Sequence, residues 1–128
     1  MLQITPIDNS KANEGSLTSY RGVQLKIARS GNDEFAKKFT RLTKPIKNSL
    51  DDDSVDPKTL EKVLCESLAG TILVGWNNLI SGGKKIEYSV DLATELLVND
   101  PDCRKFVQKF SDDINNYLKL EEEETKGK

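Results

Sequence analysis

A chain of 128 residues is the length of one ordinary domain, and 36% hydrophobic against 31% charged residues leaves a modest core. With no histidine, a Ser-His-Asp triad and a His-bound metal are excluded, and a net charge of −2 weighs against a general nucleic-acid binder. The charge is uneven: residues 1–50 carry nine Lys/Arg against four Asp/Glu, and residues 51–128 carry ten against seventeen. Such a division suits self-association or a partner of mixed charge, and equally a solvated surface.

Residues 1–20 and 121–128 have little to bury, so the expected organisation is a flexible N-terminal segment 1–20, a helical domain 21–120 and an acidic, disordered tail 121–128. Val23, Leu25 and Ile27 alternate with polar neighbours and predict a short strand. Ser30-Gly31-Asn32 is a turn, with Asn32 capping a helix whose first turn holds Asp33 and Glu34. Phe35, Phe39, Leu42 and Ile46 share one face of that helix, and Lys37, Arg41 and Lys44 the opposite one. Pro45 strains or ends it.

An acidic loop, Asn48–Ser54, leads to Asp56-Pro57, an N-cap followed by proline at the first helical position. The stripe Leu60, Val63, Leu64, Leu68 then widens through Ile72, Leu73, Val74, Trp76, Leu79 and Ile80. No charge occurs between Glu66 and Lys84, so the expectation is one helix, apolar on nearly every side, carrying the only tryptophan and stopped by Gly82-Gly83. After an extended link, Lys84–Tyr88, Ser89 caps a helix with Val90, Ala93, Leu96 and Leu97, and Asp100-Pro101 opens another. This last helix spaces Phe106, Val107, Phe110, Ile114, Tyr117 and Leu118 by three and four and dissolves in Glu121–Glu124. The predicted fold is mainly α: a small single domain of about four helices with one short N-terminal β-strand.

The chain offers little chemistry. Asp51–Asp53 lacks the spaced oxygens, glycine and closing glutamate of a calcium loop. Ser81-Gly82-Gly83-Lys84-Lys85 lacks the spacing and preceding strand of a phosphate loop. Cys65 and Cys103 have no metal-ligand spacing and read as small buried hydrophobes in a reducing cytoplasm. The uncharged run is too short and too broken to cross a bilayer. No catalytic, cofactor-binding or metal-binding residue is assigned, and the expectation is a soluble intracellular protein that is not an enzyme. Lys37, Arg41 and Lys44 form a basic face that serves either phosphate contacts or simple solvation. Trp76 reads as core or as the anchor of an interface, and Leu79, Ile80 and Tyr88 extend the candidate partner-binding surface around it. A domain this small has difficulty covering such a helix, which points to burial by another copy or a helical partner.

The order of these features resembles the tail assembly chaperones of long-tailed (siphovirus-type) bacteriophages. The likeness spans about residues 22–124 and rests on the Arg29-x-Gly31-Asn32 turn, Gly75-Trp76, a glycine turn and Tyr88-Ser89. It continues through Ala93, Leu96-Leu97, Asp100-Pro101 and Phe106-Val107 to the closing glutamates. The resemblance implies a small, non-catalytic protein, free of cofactors, that binds the tape measure protein and keeps it soluble in the cytoplasm of the infected host. Such a chaperone is displaced by tail tube protein, which many members recruit through a longer frameshifted form, and is absent from the mature virion. The alternatives are a small nucleic-acid-binding regulator using Lys37, Arg41 and Lys44, or a structural tail subunit.

Overall fold

A computed structural model describes residues 5–48 and 54–119. The acidic loop Asp51–Asp53 and the tail 121–128 lie outside the described residues. In chain order the elements are α1 (Asn9–Glu14), β1 (Ser16–Tyr20), β2 (Val23–Ile27), α2 (Asp33–Thr43) and a 3-10 turn at Lys44–Ile46. There follow α3 (Pro57–Leu68), β3 (Leu73–Asn77), β4 (Ile80–Ser81), β5 (Lys84–Lys85), α4 (Val90–Asn99), α5 (Pro101–Asp112) and a 3-10 turn at Ile114–Tyr117.

The architecture is mixed α/β, which corrects the expectation of a mainly helical fold with one strand. An antiparallel sheet of order β1-β2-β3 and a separate β4-β5 hairpin place five strands among the described residues. Only β2 was expected. The run expected as a long helix breaks at Leu68: Ala69 is extended, Gly70 turns the chain at φ 82°, and Leu73–Asn77 continues as a strand. A continuous apolar run carries no period, so helix and strand read alike there. Gly82-Gly83 does not stop a helix. Both glycines sit at positive φ (59° and 78°) and form the two-residue turn joining Ser81 to Lys84.

Residues expected to be flexible supply α1 and β1. Asp8 caps α1 by accepting from the backbone of Ser10 and Lys11, and Arg21-Gly22 closes a tight hairpin between β1 and β2. Ile7 bridges to Leu118, and the backbone N–H of Lys119 donates to the Pro6 carbonyl, so the two ends of the described chain run side by side.

The expected helix starts are present. Asn32 accepts from the Phe35 N–H at 2.8 Å, Ser89 from Leu92 at 3.1 Å and Asp100 from Cys103 at 3.1 Å. Pro57 begins α3, and Pro45 converts the end of α2 into a 3-10 turn. Leu25, Ile27, Leu73 and Trp76 from the sheet then meet Cys65, Leu68, Ala93, Leu97, Cys103 and Val107 from α3, α4 and α5 in one core. The opposite sheet face, with Leu17, Ser19, Gln24, Lys26 and Asn77, is exposed.

Two buried hydroxyls make opposite demands. Tyr117 Oη donates to the Ile27 carbonyl at 3.0 Å and ties the C-terminal turn to β2. Tyr20 packs on Phe106 at 5.0 Å between ring centroids, and its buried Oη has no hydrogen-bond partner among the described residues. The same deletion therefore acts in two directions. Urea unfolding is expected to show Tyr117→Phe destabilised by about 1–2 kcal/mol, and Tyr20→Phe neutral or stabilised by up to about 1 kcal/mol.

Candidate interaction surfaces

The four candidate partner-binding residues separate into a brace and a projection. Trp76 stands on β3 opposite Leu25, is 8% exposed, and donates from Nε1 to the Ile86 carbonyl at 2.9 Å. Tyr88 packs edge-on against it at 4.8 Å and donates from Oη to the Leu73 carbonyl at 2.7 Å. Leu79 is half-buried against the same core, and its carbonyl accepts from the Ile86 N–H at 2.8 Å. Together they hold the segment after β5 along the free side of β3. Ile80 alone points away: it is 65% exposed on the β4-β5 hairpin, beside Lys84 and Lys85. Trp76 is thus a core residue on a strand, and the expected helical surface around it does not form.

The basic face of α2 does form. Lys37, Arg41 and Lys44 are exposed and line a shallow depression with Ala36 and Thr40. Lys37 is 3.9 Å from Glu34, a mostly solvated pair of small energetic weight. Lys38 turns inward instead and donates to the Ala69 carbonyl at the end of α3 at 2.7 Å. Burial holds its ammonium pKa below the ordinary lysine range, and the nearby Arg41 charge adds to this.

A surface that sequence reasoning missed lies between α3 and α4. Lys58, Glu61, Lys62, Thr94, Glu95, Val98 and Asn99 enclose a cleft of about 420 Å³ whose walls are mostly apolar atoms. Lys58, Glu61, Lys62 and Glu95 are charged, but their methylene stems join Val98 and Thr94 in the walls while their heads form a rim of both signs. Behind it, Arg104 of α5 pairs with Glu61 at 3.5 Å and donates to the Leu97 carbonyl at 3.3 Å, linking three helices. Stripe analysis could not reveal the cleft, because all but Val98 of its lining residues are charged or polar. Outside it, Leu60, Val90 and Leu92 are further exposed apolar side chains on α3 and α4.

Cys65 and Cys103 are both buried and unbonded to each other. Burial raises the Cys103 thiol from 9.0 to about 11 and raises Cys65 as well, with Arg104 opposing the shift at Cys65. Among the described residues no group of three metal-ligating side chains assembles, and no helix is long and apolar enough to cross a membrane.

Two measurements check these assignments. Trp76→Ala is expected to cost about 3–5 kcal/mol of stability, and Trp76→Phe less, because the ring area is largely kept while one hydrogen bond is lost. Because the Cys103 pKa is raised on folding, its contribution is fully present below pH 9.0 and is lost as the pH rises toward about 11. Unfolding midpoints in urea should fall across that window, and Cys103→Ala should flatten part of the fall.

No curated protein and no solved structure matches the chain. A family model described as YdaY prophage protein matches residues 30–128, from the turn after β2 to the last residue. That match covers most of the chain, and the protein belongs to the YdaY prophage protein family and is of phage origin.

Proposed function

We propose that this phage protein acts by binding and not by catalysis, as a tail assembly chaperone that holds an amphipathic helix of the tape measure protein in the α3–α4 cleft. The make-up of the cleft carries the reading: apolar walls for a client's side chains, with Lys58, Lys62 and Glu95 at the rim for charged flanks of either sign. Reversible binding follows from such a site, since its walls stay solvated and folded when it is empty. The chaperone keeps its client soluble in the host cytoplasm and gives way to tail tube protein, recruited through a longer frameshifted form, before the virion is complete. Trp76 and Tyr88 contribute by bracing the core beneath, and not by touching the client.

The basic face of α2 supports a second reading, a nucleic-acid-binding regulator, because Lys37, Arg41 and Lys44 converge on one exposed depression. Phosphate binding weakens steeply with salt, and apolar client binding does not. The test is co-expression with a phage tape measure protein, followed by co-purification at low and high salt. Capture that survives high salt and is lost in Thr94→Arg, which fills the cleft from a half-buried helical position at no cost in helix propensity, is expected. Capture that ignores Thr94→Arg would remove the cleft. Salt-sensitive nucleic-acid binding abolished by Lys37→Ala/Arg41→Ala, with no client captured, would favour the second reading.

A further inference from the structure

The two outer edges of the three-stranded sheet are treated differently. Along β3, the Leu73 carbonyl is taken by the Gly70 N–H and the Tyr88 hydroxyl, and the Ile86–Tyr88 segment lies alongside. Along β1, no strand pairs with the outer side among the described residues. The β1 sequence, Ser16-Leu17-Thr18-Ser19-Tyr20, contains no proline, charge or bulge of the kind that usually guards an edge. Leu17 is 58% exposed upon it.

The hairpin geometry specifies which backbone groups are free. With Arg21-Gly22 as a two-residue turn at positive φ, Tyr20 and Val23 form the first hydrogen-bonded pair. Alternation then turns Thr18 and Ser16 inward to β2, and leaves the N–H and C=O of Leu17 and Ser19 facing outward. These two residues lie symmetrically about Thr18.

We propose that β1 is the interface between two copies of this chain, paired antiparallel about a two-fold axis at Thr18. In that register Leu17 of each copy exchanges both backbone hydrogen bonds with Ser19 of the other. All four outward groups of each strand are used, and Thr18 meets Thr18 in a favourable cross-strand pair. Charge selects the same arrangement. Exposed Glu14 precedes the strand and exposed Arg21 follows it, so antiparallel copies bring Arg21 of one to Glu14 of the other at both ends. A parallel pair would set like charges together. Arg21 lies over the Tyr20 ring at 5.2 Å and 3.9 Å from Asp102, and because its side chain is mostly solvated both are weak contacts that leave it able to engage Glu14. The result is a continuous sheet β3-β2-β1-β1-β2-β3, isologous as closed dimers require. This interface lies on a different part of the molecule from the α3–α4 cleft and does not depend on the client reading.

Sedimentation velocity of the full chain from about 5 to about 500 µM tests it, with far-UV circular dichroism reporting the fold. Wild type is expected to reach twice the 14.3 kDa chain mass. Leu17→Pro removes an outward donor and no internal bond, and Leu17→Lys adds an edge charge; each should weaken dimerisation at least about tenfold with the fold intact. If Leu17→Pro misfolds, Leu17→Lys carries the test. Glu14→Arg should also weaken the dimer, and Glu14→Arg with Arg21→Glu should return it to within about threefold of wild type. A wild-type monomer throughout, or a dimer indifferent to Leu17→Lys, would overturn the proposal. Failure of the charge exchange to restore a weakened dimer would overturn the antiparallel register.

Discussion

The pairing of β2 with β3 is the contact on which the remainder of the molecule depends. It joins Leu25 to Trp76 and Ile27 to Leu73 across about fifty residues of chain, and it presents these four side chains as one apolar face. α3, α4 and α5 pack against this face and against one another. A register slip of one residue would turn Gln24 and Lys26 inward and expose Leu25 and Ile27, so the pattern of β2 holds the pairing in place. The bulge beside Lys26 and Ile27, where Val74 is the extra residue, lets β3 keep both Leu73 and Trp76 on the inner face despite a spacing of three.

Polar groups inside this core act as ties between segments distant in sequence. Tyr117 reaches Ile27, Tyr88 reaches Leu73, Lys38 reaches Ala69, and Arg104 joins α5 to Glu61 of α3 and Leu97 of α4. Each satisfies a backbone carbonyl or a carboxylate where water has limited access. Such ties favour one arrangement over other compact ones, because breaking any of them leaves a desolvated acceptor. The Trp76 indole belongs to this set. Its value to the protein lies in locking Ile86 over β3, and it leaves Ile80 as the exposed member of the group first singled out with it.

The surfaces left over are consequently peripheral. The α3–α4 cleft, the basic face of α2, the β1 edge and the β4-β5 hairpin all lie outside the shared core and can change without unmaking it. That separation suits the proposed binding role, since binding faces carried on a self-sufficient core can be emptied and refilled without unfolding.

Local signals in the sequence determined a good deal. Asn32, Ser89, Asp100 and the Asp56-Pro57 pair each define a helix start through their own side chains or ring geometry, and the alternation of Val23, Leu25 and Ile27 suffices for β2. The basic face of α2 was also legible, because helical spacing alone places Lys37, Arg41 and Lys44 together. Tertiary structure decided the rest. Ile72–Trp76 is apolar without a period, and only pairing to β2 makes it a strand. Ser16–Tyr20 is too polar to suggest burial, and it becomes β1 because the Arg21-Gly22 turn brings it back along β2. The α3–α4 cleft was hidden because its walls include the aliphatic stems of Lys58, Glu61, Lys62 and Glu95, which line a cavity only when two helices pack side by side.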